Sequence, residues 1–192
     1  MKKILVINGH PREGSLSESI AESYEKGARK AGHKIEMLSL NDLNFNLVLK
    51  GSRTDTGQLE PDILKAQEKI RKADHLVFVF PIWWGAYPAL LKGFIDRVFL
   101  SGFAYKHDPE QKKLIKLLRG KTARLVVTMD TPKWFYSLFY QSFGIRAMKQ
   151  GLLNYCGIAP VKTTIFSPVR SSTHESRTKW LQQVETLGLH AN

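Results

Sequence analysis

Apolar residues along this chain recur with two periods. Five short runs read as strands: Lys3 to Ile7, Lys34 to Leu40, Leu76 to Phe80, Ala123 to Thr128 and Val161 to Phe166. The third, Leu-Val-Phe-Val-Phe bounded by Pro81, is apolar on both faces, as a central parallel strand must be. Between the strands, spacings of three and four predict helices. The first carries Leu16, Ile20, Tyr24, Ala28 and Ala31 and is stopped by Gly32. The second opens at Pro61 and sets Ile63, Leu64, Gln67 and Ile70 on one face. The third starts with Pro88 at its first position, where a missing amide hydrogen does no harm. Its apolar residues Leu90, Leu91, Phe94, Ile95, Val98 and Phe99 cover most of its circumference, which predicts burial against the sheet and against a second subunit. A helical pattern runs from Gln141 to Asn154. A capping box at Ser172-Thr173-His174-Glu175 opens the last helix, with Trp180, Leu181, Val184 and Leu187 as its stripe and Gly188 as its end. Asn41 to Gly57 has no period, and a long irregular segment is usually functional or covers an interface. Strands alternating with helices, without repeat or linker, predict one doubly wound α/β domain over residues 1–192.

Composition narrows the class. At 43% hydrophobic and 24% charged residues the chain is ordinary for a soluble protein. The apolar start ends at Asn8-Gly9-His10-Pro11, too early for a secretion signal, and no stretch approaches a membrane span. Cys156 is the single cysteine, so no internal disulfide forms and a reducing cytoplasm is the expected setting. Leu153, Tyr155 and Ile158 around it point to an inert core thiol. The net charge of +12 raises the question of nucleic acid. Lys and Arg are spread over nearly every predicted helix, however. The densest cluster, Lys112 to Lys121, is interrupted by Leu114, Ile115, Leu117 and Leu118, as on a solvated amphipathic face. Attraction of phosphate-bearing small ligands is the use that charge favours.

Three loops are predicted to meet at the carboxyl edge of the sheet, where open α/β folds bind ligands. The first, Asn8 to Ser17, offers helix-start amides, the hydroxyls of Ser15 and Ser17, and His10 to a phosphate. Ser15 and Glu18 also fit a capping box that would use such amides internally. The second, Pro81-Ile82-Trp83-Trp84-Gly85-Ala86-Tyr87, suits a large planar ligand. The third, Thr128-Met129-Asp130-Thr131-Pro132-Lys133-Trp134-Phe135-Tyr136, begins with short polar groups able to bond a ring edge. Its aromatic continuation through Trp134, Tyr136, Tyr140 and Phe143 reads as a lid or a subunit contact. Together they describe a flavin nucleotide better than ATP, because no Walker pattern is present. No metal site is expected.

On these residues the chain resembles the NAD(P)H:quinone oxidoreductases of the flavodoxin-like superfamily, the group of DT-diaphorase and the bacterial drug-modulator-type reductases. Gly9-His10-Pro11, Asn44-Phe45-Asn46, Asp55-Thr56-Gly57, Leu59 to Asp74, Phe80 to Phe99 and Phe103-Ala104-Tyr105 carry the likeness. It implies a flavodoxin-like five-stranded parallel sheet of order 2-1-3-4-5. It also implies one FMN or FAD per subunit, a homodimer with flavin sites at the interface, and ping-pong transfer of two electrons from NAD(P)H to a quinone. By the same likeness His10, Leu16 and Ser17 take the flavin phosphate, Pro81, Ile82, Trp83 and Trp84 run along the ring, and Thr128, Met129 and Asp130 hold it; Gly85, in the second loop, is a further candidate for cofactor contact. Trp134 and Tyr136 are candidates for the acceptor pocket, and Gln67 matches a family glutamine near the dinucleotide half of FAD. The mammalian branch has a glycine-rich third loop with a tyrosine and a histidine beside the flavin, whereas Met129 to Pro132 has no histidine nearby. No protein acid or base is therefore assigned, since the flavin carries the chemistry. Two other readings are an ancillary, redox-sensing subunit of a potassium efflux system and a flavodoxin-type electron carrier. Carriers of that kind are typically acidic, against +12 here.

Overall fold

The structure, a computed structural model, describes residues 1–52 and 57–191; Asp55 and Thr56, two of the residues carrying the family likeness, lie outside them. Strands β1 (Lys3–Asn8), β2 (Lys34–Ser39) and β3 (His75–Pro81) alternate with helices α1 (Leu16–Lys30), α2 (Pro61–Lys72) and α3 (Ala89–Val98). A small hairpin of β4 (Tyr105–His107) and β5 (Leu114–Lys116) follows. Then come β6 (Thr122–Thr128), α4 (Lys133–Leu138), α5 (Phe143–Arg146), a π-helical stretch over Ala147–Asn154, β7 (Val161–Phe166) and α6 (His174–His190). The main sheet is parallel throughout, in the order β2-β1-β3-β6-β7. With the hairpin strands set aside this is 2-1-3-4-5, as the resemblance implies.

Period-two alternation in the central strands divides the core into two layers. Leu5 and Ile7, Leu76, Phe78 and Phe80, and Leu125 and Val127 face the layer that holds Ile63 and Ile70 of α2 and Phe94 of α3. Ile4, Val6, Val77, Val79 and Val126 face the layer of α1 and α6. In that second layer the helices approach until backbone meets backbone. A Cβ on Gly27 would lie 1.9 Å from the Glu185 carbonyl oxygen, and one on Gly188 would lie 2.2 Å from that of Tyr24. Gly188 therefore does not end the last helix, which continues to His190 and stops at Ala191 with φ of 39°; it is glycine because a side chain there would hold the helices apart.

Other sequence expectations need correction. Leu114 to Lys116, read as part of a solvated amphipathic face, pair with Tyr105 to His107 as an antiparallel hairpin. Lys133 to Leu138, read as loop, are helical. Leu64 is half exposed rather than packed. Gln67 is buried and donates from Nε2 to the Val98 carbonyl (3.0 Å), so it ties α2 to α3. The irregular segment from Asn41 is pinned over the same helices. Asn44 and Asn46 donate their amides to Asp62 (3.0 Å) and Glu60 (3.1 Å). The buried Arg97 guanidinium pairs with Glu60, and these contacts hold the Glu60 carboxyl below its ordinary range although burial opposes them.

Candidate functional site

Because β1, β3 and β6 are neighbours and parallel, the loops that leave them emerge side by side at one edge. They enclose a cleft of about 380 Å³ lined by His10, Arg12, Leu16, Ser17, Pro81, Ile82, Trp83, Thr128, Met129, Asp130 and Val169. The floor is held by backbone bonds between loops. Gly9 donates to the Val79 carbonyl (2.8 Å), Ile82 to that of Thr128 (2.8 Å) and Met129 to that of Phe166 (3.1 Å).

At the start of α1 the two readings of the first loop prove compatible. Ser15 is the N-cap, and its hydroxyl accepts the Glu18 amide (3.3 Å) while Glu18 Oε2 accepts that of Gly14 (2.6 Å). Ser15 is thereby used inside the chain and does not line the cleft. The amides of Leu16 and Ser17, however, find no acceptor among the described residues, as expected of a first helical turn. Ser17 Oγ is buried, lines the cleft and also has no partner. Unpaired buried hydroxyls are rare enough to require a reason. His10 adds a further donor. Its Nδ1 accepts the Arg12 amide (3.0 Å), so the neutral ring carries its proton on Nε2. Burial, and then the Arg12 charge, lower the His10 pKa and keep that neutral form. The ring meets Trp83 edge to face, with centroids 5.3 Å apart.

On the aromatic side the structure separates the two tryptophans. Trp83 is 45% exposed and lines the cleft, whereas Trp84 is fully exposed at the tip of a two-residue turn and faces solvent. Gly85 shares that tip and does not line the cleft either. In the third loop Thr128, Met129 and Asp130 reach the cleft, and Asp130 Oδ1 accepts the Arg170 amide (2.7 Å). The two pocket candidates beyond it do not. Trp134 lies exposed on α4, and Tyr136 is buried with its hydroxyl bonded to Gly85 and Gly144. Sequence reasoning missed two lining residues. Arg12 was visible as a cation inside a phosphate-type loop. Val169 comes from the loop after β7, whose neighbourhood follows once β7 is known to lie beside β6.

Cys156 is buried, and burial pushes its thiol up to about 12, as suits an inert core position. Among the described residues no cluster of His, Cys, Asp or Glu is arranged to hold a metal, and no helix is long and apolar enough to cross a membrane.

Comparison with known proteins agrees with this architecture. A family model described as flavodoxin-like fold matches residues 2–187. A Haemophilus influenzae protein named as an uncharacterized NAD(P)H oxidoreductase is 30% identical over 90% of this chain and 87% of its own. The rat NAD(P)H dehydrogenase [quinone] 1 is 24% identical over 97% of this chain and 78% of its own. A solved structure from Streptococcus mutans superposes with a TM-score of 0.85 at 33% identity, over 98% of this chain and 99% of the other. The strand order and a match along nearly the whole length agree, and the chain belongs to the flavodoxin-like family.

Proposed function

We propose that this chain is a flavin-dependent NAD(P)H oxidoreductase that delivers two electrons to quinones or similar acceptors. The observation that carries the reading is the unpartnered Ser17 hydroxyl, set beside the two free first-turn amides and the proton-bearing Nε2 of His10. Four donors at a helix start, with the Arg12 charge nearby, match the oxygens of a phosphate ester. Beside them the cleft is lined by Pro81, Ile82 and the Trp83 indole, which suit a ring system stacked or edged against them. Thr128 and Asp130 supply polar groups at the ring's far border.

When bound, the flavin supplies hydride chemistry, taking two electrons from a reduced nicotinamide and passing them to the acceptor. The protein holds the phosphate, orients the ring and excludes water from one of its sides. Without ligand His10 is held toward its neutral form, and either protonation state leaves an Nε2 hydrogen to donate to the phosphate. The names of the H. influenzae and rat relatives support a nicotinamide donor, and that of the rat relative supports a quinone acceptor. The same reading places the protein in the cytoplasm as a homodimer. The exposed apolar side chains of Trp134, Leu138, Phe139 and Phe143 support association of two copies.

The test is an absorbance spectrum of the purified protein supplied with FMN or FAD, followed by anaerobic NADPH and then a benzoquinone. Bleaching on the first addition and recovery on the second support the reading. A protein that takes up neither flavin, or one that bleaches without recovering, overturns it.

A further inference from the structure

The turn that carries Trp83 is closed by reciprocal backbone bonds. The Trp83 amide donates to the Ala86 carbonyl (2.7 Å), and the Ala86 amide donates to that of Trp83 (3.0 Å). Its tip residues, Trp84 and Gly85, have φ of 51° and 78°, both in the left-handed region. A non-glycine residue at such a tip persists only where the surroundings enforce it. Tyr136 supplies that enforcement from α4. Its side chain is 1% exposed, and its hydroxyl donates to the Gly85 carbonyl (2.8 Å) while accepting the Gly144 amide (3.1 Å).

The fit around this bridge leaves no room for side chains. A Cβ on Gly85 would lie 2.3 Å from the Phe143 ring, and one on Gly144 would lie 2.6 Å from the Gly85 carbonyl oxygen. Gln141 and Ser142, with φ of 47° and 50°, turn the chain so that α5 comes back onto the turn. Burial raises the Tyr136 pKa above its ordinary value, so the phenol stays protonated. With donor and acceptor both engaged, it has no proton free to relay.

We propose that Tyr136 is a positioning residue whose hydroxyl bridge from Gly85 to Gly144 fixes the Trp83–Ala86 turn and thereby holds the Trp83 indole against His10 in the cleft. Its effect on ligand binding rests on the flavin reading given above, but its effect on the turn does not. Tyr136→Phe removes the hydroxyl and keeps the ring. Gly144→Ala keeps the hydroxyl and wedges the turn away from α5. Ile70→Val, at the opposite edge of the sheet, serves as a control that loses stability without touching the bridge.

Two measurements separate the claims. In the flavin-free protein, nuclear Overhauser contacts between the His10 ring and the Trp83 indole are present in the wild type and the control, and weaken or vanish in both bridge variants. In parallel titrations with FMN and FAD, the dissociation constant rises about tenfold in both bridge variants and stays within twofold of wild type in the control. Contacts that persist in Tyr136→Phe overturn the positioning role, and a dissociation constant that is unchanged where the contacts are lost overturns its effect on flavin binding. A wild-type chain that binds neither flavin overturns the flavin reading alone, and the contacts then decide the role of Tyr136.

Discussion

Ser17→Ala is expected to stabilise the empty protein and weaken its hold on flavin. In the structure Ser17 Oγ is buried and unpartnered, so folding takes a hydroxyl out of water without replacing its hydrogen bonds. That costs roughly 1–3 kcal/mol. Alanine removes the cost, leaves only a very small void and is a better helix former. A net gain of about 1 kcal/mol is reasonable, a rise of about 2–4 °C in melting temperature for a chain of this size. Binding should move the other way. A hydrogen bond to a charged phosphate contributes about 1.5–3 kcal/mol, or roughly a 10- to 150-fold change in dissociation constant. Thermal melts of the flavin-free protein and a fluorescence titration with FMN and FAD measure the two effects. Ser15→Ala supplies the contrast, because that hydroxyl caps α1 and lies outside the cleft. Its loss should destabilise by about 1 kcal/mol with little direct effect on flavin contacts. A Ser17→Ala protein that is less stable, or one that binds flavin as tightly as wild type, would refute the reasoning.

Trp83→Ala should weaken flavin binding more than folding. About half of the indole is buried in the empty protein, so the folding loss is at most about 2–3 kcal/mol, and a titration that finds affinity intact while the melt collapses would make Trp83 a core residue. The buried His75, whose Nδ1 lies 2.6 Å from Thr122 Oγ1, has its pKa lowered from 6.5 to about 3 by burial and then by neighbouring cations. The unfolded chain therefore binds a proton that the folded chain refuses. Stability should fall as pH drops from 6.5 toward 3, by up to about 1.4 kcal/mol per pH unit; urea melts of His75→Asn should show this limb flattened by one proton. Gly27→Ala should destabilise by about 2 kcal/mol, since its Cβ would lie 1.9 Å from the Glu185 carbonyl oxygen. A melting temperature raised by the better helix former would show that α1 and α6 have room to separate.

The fold was legible where one force dominated. β1, β3 and β6 are buried on both faces and announce themselves as apolar runs, and Pro61 and Pro88 mark helix starts to within a residue. The hairpin was not legible, because three-residue strands such as Tyr105–His107 carry too few positions to show a period. Gly188 was misread because a glycine late in a helix fits a terminus and a helix contact equally, and only the packing of α1 decides. At the site, loop chemistry identified most of the residues that line the cleft, because parallel neighbours bring their exits together. Side-chain direction was invisible. Trp84 follows Trp83 immediately, yet a left-handed backbone turns it to solvent, and Tyr136 is drawn inward by the Gly85 carbonyl.

The account turns on where the flavin's phosphate sits, and a crystal structure of the chain with FMN measures that directly. The phosphate should lie within hydrogen-bond distance of Ser17 Oγ, the Leu16 and Ser17 amides and His10 Nε2, with the ring between Trp83 and Thr128. A phosphate bound away from the first turn of α1, or a ring lodged outside this cleft, would contradict it.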